Sequence, residues 1–340
     1  MRGGYLLRHV GLPVSGRRFR EQELTYLFLV VGLVLLLGGA EFLVKGAASL
    51  ATRLGVSPFL IGLTLVGFGT SAPELVASLE GAFQGYPGIA VGNVVGSNIA
   101  NILLILGIAG LIFPMTVDRG ALKRDGSMML GAAAIMMGAC LYGVLSREVG
   151  LGFLALLSVY LIYTYRADRR LQDGTAKLHA GEAEFLTSTG PKTSLLVEIV
   201  MALGGLVALV TGASLLVDAA VEIATRHGVS DSVIGLTLVA VGTSLPEVAT
   251  SVLAAFRRQS DIAIGNVVGS NIFNVLGIAG MVAVVKPVPV PADIAGFDIW
   301  VMGAASLLFL VFAWTGSRIG RVEALLLLGG YGAYVTVLLQ

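Results

Sequence analysis

Cysteine and histidine are scarce in this chain of 340 residues, and charge is thin. Its single cysteine, Cys140, lies in an apolar run, which argues against a disulfide framework and against a thiolate metal centre. His9, His179 and His227 fall far apart, in tail or loop positions, so a histidine-ligated zinc enzyme is not supported either. Charged residues are 13% of the chain, against about a quarter in a soluble globular domain. A net charge of +1 leaves no basic footprint for nucleic acid and no sign of an obligate protein partner.

What the chain has instead is apolar length. Apolar residues make up 56% and mean hydropathy is +0.89, so its main partner is the lipid bilayer. The 46 glycines suit close helix packing in lipid, where small residues let backbones approach. Runs of spanning length, about 20 residues each, fall at 24–44, 56–80, 88–113, 126–145, 149–165, 195–217, 230–256, 261–285, 294–314 and 321–339. The expected fold is an all-α polytopic membrane protein of about ten spans. Residues 1–23 form a basic tail, 24–165 and 195–340 two membrane halves, and 166–194 a polar linker.

The two halves are copies. Residues 61–101 align with 234–274 at a constant shift of 173 without a gap, and 25 of the 41 positions are identical. The same register lays 33–40 on 206–213, so the first span is a repeat member rather than a cleaved signal. Five spans per copy is an odd number, so the copies enter the membrane in opposite orientation, a recurring transporter architecture. Loops after the odd spans carry most of the lysine and arginine, while those after the even spans carry Arg147, Arg226 and Lys286. By the positive-inside rule the odd loops are cytoplasmic and both termini lie outside an inner (plasma) membrane. Five arginines in the first 20 residues point the other way; the distributed signal is given precedence.

Each copy buries an acid. GTSAPE at 69–74 and GTSLPE at 242–247 both sit mid-span, and an ionisable residue there is a functional candidate by default. Pro73 and Pro246 each free a carbonyl about one turn upstream. Thr70 and Ser71 stand four and three residues before Glu74, as Thr243 and Ser244 do before Glu247, so their oxygens should project to one side. The next span adds Asn93, Ser97 and Asn101, matched by Asn266, Ser270 and Asn274, with glycines between. Two carboxylates with hydroxyls and amides, and no nitrogen or sulfur ligand, match a hard cation such as calcium. A lone buried glutamate can be a helix–helix hydrogen-bonding partner; two in matching contexts argue against that. Asn98 and Asn271 fit packing as well as ligation. Glu41 with Lys45, and Asp218 with Glu222, are read as interfacial residues at helix ends. Asp118, Arg119, Lys123, Arg124 and Asp125 are read as a solvated loop.

The duplicated GTSAPE/GTSLPE, each followed by GNVVGSN, resembles the α-repeats of the sodium/calcium exchanger family, bacterial and archaeal type, over about residues 24–340. The resemblance implies alternating-access exchange of Na+ for Ca2+, with neither enzymatic activity nor a cofactor. It implies Glu74 and Glu247 as central ligands, helped by Thr70, Ser71, Thr243, Ser244, Ser97, Ser270, Asn101 and Asn274 and by carbonyls near Gly67 and Ala240. Proton/calcium relatives usually carry an asparagine-based signature where this chain has Thr-Ser, which favours sodium. Some relatives, potassium-dependent ones included, have aspartate where this chain has Asn274, which argues against potassium.

Charge supplies a rationale for exchange. Two carboxylates hold about −2, which one calcium, two sodium ions or two protons neutralise, and an unloaded site crosses a low-dielectric barrier at high cost. Proton/calcium or another cation exchange stays open as the alternative. An intramembrane enzyme or a non-transporting scaffold is the remote one: no histidine lies mid-span, and Ser71 has no base besides those carboxylates.

Overall fold

The computed structural model describes residues 14–187, 194–226 and 240–338. Within them the chain is almost entirely helical. Helix α1 (Val14–Leu54) is followed by α2 (Phe59–Thr70) and α3 (Ala72–Gln84), which meet at Ser71 with a bend of 42°. Then come α4 (Pro87–Ile112), α5 (Arg119–Tyr142) and α6 (Arg147–Thr187). The second half repeats the order with α7 (Leu195–Arg226), α8 (Ala240–Thr243), α9 (Leu245–Phe256), α10 (Ser260–Val285), α11 (Ile294–Gly316) and α12 (Arg321–Leu338). Eight of these helices are long and apolar enough to cross a membrane, and the bent α2–α3 pair makes a ninth. The tenth expected span, 230–256, is described only from Ala240 onward, as α8 and α9.

Four two-residue strands reveal how the halves are related: β1 (Met115–Thr116), β2 (Val144–Leu145), β3 (Val288–Pro289) and β4 (Arg318–Ile319). β1, after α4, pairs antiparallel with β4, after α11; β2, after α5, pairs with β3, after α10. The third connection of each half thus meets the fourth connection of the other. Halves in the same orientation would put those connections on opposite faces, so the two copies are inverted.

The helix that opens each half crosses its counterpart, α1 against α7, through small residues. A Cβ at Gly32 would stand 2.8 Å from Leu216 N, and one at Gly205 would stand 2.5 Å from Leu43 N. Large apolar side chains on the opposite faces, Leu37 and Phe42 on α1 and Leu196 and Val207 on α7, are exposed as lipid-facing residues are. Ion pairing closes the crossing at one end, where Arg53 donates to both oxygens of Glu198 at 2.6 and 2.9 Å.

Two sequence readings are corrected. Asp125 is not solvated: α5 begins at Arg119, and Asp125 is fully buried, accepting from Arg124 at 2.8 Å and from the Tyr160 hydroxyl at 2.7 Å. Burial of that carboxylate is possible because α6 supplies a hydroxyl 35 residues downstream. Glu41 lies well inside α1, not at its end, and pairs with Lys45 at 2.6 Å and with Arg257 from the end of α9. The helix runs past Glu41 because the next residues, FLVKGAASLATRL, contain no proline. Residues 166–187, within the polar connection, are helical and continue α6 to Thr187.

Candidate cation site

Pro73 and Pro246 occupy the first turn of α3 and α9, where proline's missing N–H costs nothing. The break just ahead of each leaves Ser71 and Ser244 outside regular helical geometry, at ψ 9° and 5°. This local kink redirects the hydroxyls. Ser71 Oγ donates to Glu247 Oε1 at 3.0 Å, and Ser244 Oγ donates to Glu74 Oε1 at 3.1 Å. Spacing alone had each serine beside the acid of its own repeat; the geometry crosses them over. Both carboxylates, 1% exposed, are thereby joined in one buried cluster between the halves.

Around the pair, α4 and α10 supply the polar stripe. Asn93 Nδ2 donates to the Glu74 carbonyl and to Ser78 Oγ, both at 2.9 Å, while Asn266 Nδ2 donates to the Glu247 carbonyl at 3.4 Å and Ser251 Oγ at 2.8 Å. These two asparagines brace the acid-bearing helices. Thr70 Oγ1 donates to Asn266 Oδ1 at 3.2 Å and to the Gly67 carbonyl at 3.3 Å. Ser270 Oγ donates to the same Gly67 carbonyl at 3.2 Å, from a helix held close by Gly269 against Leu63. Gly67 O also accepts from Ser71 N at 3.2 Å, so it is the most heavily engaged oxygen in this group. Ser97 is buried and Thr243 half-buried. The backbone of Ala240 opens α8, and the segment before it lies outside the described residues.

Asn101 and Asn274 open or enter a widened helical turn in α4 and α10, a local expansion frequent at functional sites. Their amide oxygens are buried without a hydrogen-bond partner, as are Glu74 Oε2 and Glu247 Oε2. Of seven such side-chain atoms among the described residues, these four form two repeat-equivalent pairs of acceptors. An orphaned buried acceptor costs about 1–3 kcal/mol, more if charged. All four are acceptors, the kind of group that a cation satisfies and a hydrogen-bond acceptor does not.

Inverted halves crossing at a buried pair of carboxylates define a membrane ion transporter of the inverted-repeat class. The family model for the sodium/calcium exchanger protein matches residues 24–166 and 197–340. The sodium/calcium exchanger MaX1 of Methanosarcina acetivorans is 37% identical over 345 residues, covering 92% of this chain and 98% of that one. The inner membrane protein YrbG of Escherichia coli is 35% identical over 315 residues, covering 91% and 95%. The solved structure of the sodium-calcium exchanger NCX_Mj superposes with a TM-score of 0.80 at 33% identity, covering 93% of this chain and 99% of that one. The chain belongs to the sodium/calcium exchanger family, whose members are multi-pass cation/Ca2+ antiporters and not enzymes.

Two elements escaped the sequence reading. Asp125 with Tyr160 is repeated as Asp298 with Tyr334, at 2.9 Å. Asp298 follows Asp125 at the repeat shift of 173, but Tyr334 follows Tyr160 at 174, so a gapless comparison loses the pair. The methionines beside Asn98 and Asn271 are the other, and Met129 and Met302 do share the 173 shift.

Proposed function

We propose that this chain exchanges Na+ for Ca2+ by alternating access, with entering sodium driving calcium out across the inner membrane and both termini outside. The observation that carries this reading is the crossed serine–glutamate pair, with a free oxygen left on each carboxylate. Glu74 and Glu247 are the central ligands. Thr70, Ser71, Thr243, Ser244, Ser97, Ser270, Asn101 and Asn274, with the carbonyls of Gly67 and Ala240, complete an all-oxygen set that suits calcium's flexible shell of about six to eight ligands. Residues 24–165 and 195–340 act as the two moving halves, joined by 166–194.

Charge balance makes exchange obligatory in this scheme. A loaded site is near neutral, whereas an empty site carries about −2 through a low-dielectric barrier. Similarity to the sodium/calcium exchangers MaX1 and NCX_Mj supports sodium as the coupling ion, and similarity to the inner membrane protein YrbG supports the inner membrane. The test is calcium uptake into proteoliposomes, with and without an imposed sodium gradient. Parent flux should follow the sodium gradient, and Glu74→Gln and Glu247→Gln should each abolish it while leaving folded protein. Flux that ignores sodium and follows a proton gradient reassigns the coupling ion. Near-parent flux in either folded variant removes the glutamates from the site.

A further inference from the structure

An asparagine side chain is nearly the same shape whichever way its amide points, yet one end attracts a cation and the other repels it. Its orientation is therefore set by neighbours. In this protein the neighbours form two chains with a built-in direction. Asn98 Nδ2 donates to Met302 Sδ at 3.6 Å, and Asn98 Oδ1 accepts from Asn274 Nδ2 at 3.4 Å. In the symmetry mate, Asn271 Nδ2 donates to Met129 Sδ at 3.6 Å, and Asn271 Oδ1 accepts from Asn101 Nδ2 at 3.1 Å. All six residues are at most 2% exposed, and each chain passes from one repeat to the other at both steps.

The thioether fixes the sense. Sulfur in methionine accepts and has no hydrogen to donate, so the amide NH2 of Asn98 is the end that faces Met302. The carbonyl of Asn98 then faces Asn274 and selects its NH2, which leaves Asn274 Oδ1 as the end turned away. That oxygen, like Asn101 Oδ1, is buried with no partner. We propose that Asn98 and Asn271 are positioning residues that, oriented by Met302 and Met129, hold the amide oxygens of Asn274 and Asn101 toward the transported cation. Packing alone does not call for this arrangement, because leucine fills comparable space without ordering an amide.

This assignment rests on the antiport reading above and deepens it. The experiment measures the calcium KM and the maximal rate of sodium-driven flux in proteoliposomes for the parent, Asn98→Leu, Met302→Leu and their double variant. Asn98→Leu should raise KM about fivefold or more with maximal rate within about twofold, the loss of one orienting hydrogen bond. Met302→Leu, a nearly volume-conserving change, should raise KM about two- to threefold. The double variant should match Asn98→Leu, because Met302 acts only through Asn98. KM unchanged in the single variants, or effects that add in the double, overturns the assignment, as does a change confined to maximal rate or thermal stability. If Asn98→Leu does not fold, Met302→Leu and Met129→Leu carry the same test through KM. A parent without sodium-driven calcium flux overturns the functional reading as well; parent flux with unaltered variants overturns this assignment alone.

Discussion

Asp125→Asn should be among the most destabilising single substitutions outside the cation site. Its carboxylate is fully buried and accepts two bonds from Arg124, each 2.8 Å, plus the Tyr160 hydroxyl at 2.7 Å. The Arg124 side chain is itself 14% exposed, so removing the negative charge breaks a largely buried ion pair. Breaking a buried pair in this way costs about 3–5 kcal/mol. Tyr160→Phe leaves the ion pair intact and removes one hydrogen bond to a charged acceptor, about 1.5–3 kcal/mol. The second repeat supplies an internal control. Asp298 is half-buried, and the position equivalent to Arg124 is Phe297, which stacks on Tyr334 at 6.1 Å. With no guanidinium at that position and a less buried carboxylate, Tyr334→Phe and Asp298→Asn should each cost about 1 kcal/mol or less. Denaturant titration of the purified protein in detergent reads the differences. Equal destabilisation in the two repeats, or an Asp125→Asn variant as stable as the parent, refutes the reasoning.

The crossed hydroxyls and the orientation can be tested in the same preparations. Ser71→Ala and Ser244→Ala each delete one bond to a carboxylate, about 1.5–3 kcal/mol, so each should raise the calcium concentration for half-maximal flux about tenfold or more. Because the two serines are repeat equivalents, a tenfold gap between their effects contradicts the shared site. For orientation, Ser260→Cys and Thr175→Cys in a Cys140→Ala background should resist an impermeant thiol reagent outside intact cells, while Gln340→Cys should be labelled. The reverse pattern means that the basic tail sets the topology.

The architecture was legible because it is written twice. A repeat at shift 173 with an odd number of spans already demands inversion, and the strand pairs β1–β4 and β2–β3 show it. Glu74 and Glu247 were legible because lipid makes any mid-span acid expensive. Less legible was whatever depended on distant partners. Asp125 sits in a charged run, DRGALKRD, that reads as a loop until Tyr160 and the ion pair to Arg124 are seen around it. The serine crossover was hidden for a related reason: spacing on a continuous helix places Ser71 near Glu74, and only the bend at that residue turns it to Glu247. The continuation of α6 through 166–187 was masked by polarity, which signals departure from lipid and says nothing about helicity.

Symmetry also shows where the two conformations of an exchanger must differ in energy. In an inverted repeat, the inward- and outward-open states are reached by letting the halves trade roles, so identical halves would make the two states equal. The polar centre obeys the repeat closely: Ser71 with Ser244, Asn101 with Asn274 and Met129 with Met302 all make matching bonds. Departures lie toward the rim. At one end of the α1–α7 crossing Arg53 holds Glu198 at 2.6 Å, whereas at the equivalent place Arg226 meets the Thr25 hydroxyl at 3.3 Å. Glu41 pairs with Arg257, but their equivalents are Ser214 and Gln84. Arg258 sits 5.7 Å over the Phe113 ring, where the other repeat has Lys286 donating to the Phe83 carbonyl at 3.2 Å. Among the described residues, the ion pairs between the halves therefore collect on the side where the odd-numbered spans end. In the proposed alternating-access scheme the cation meets repeat-equivalent groups from either half, and the bias between the two states is assigned to these peripheral contacts.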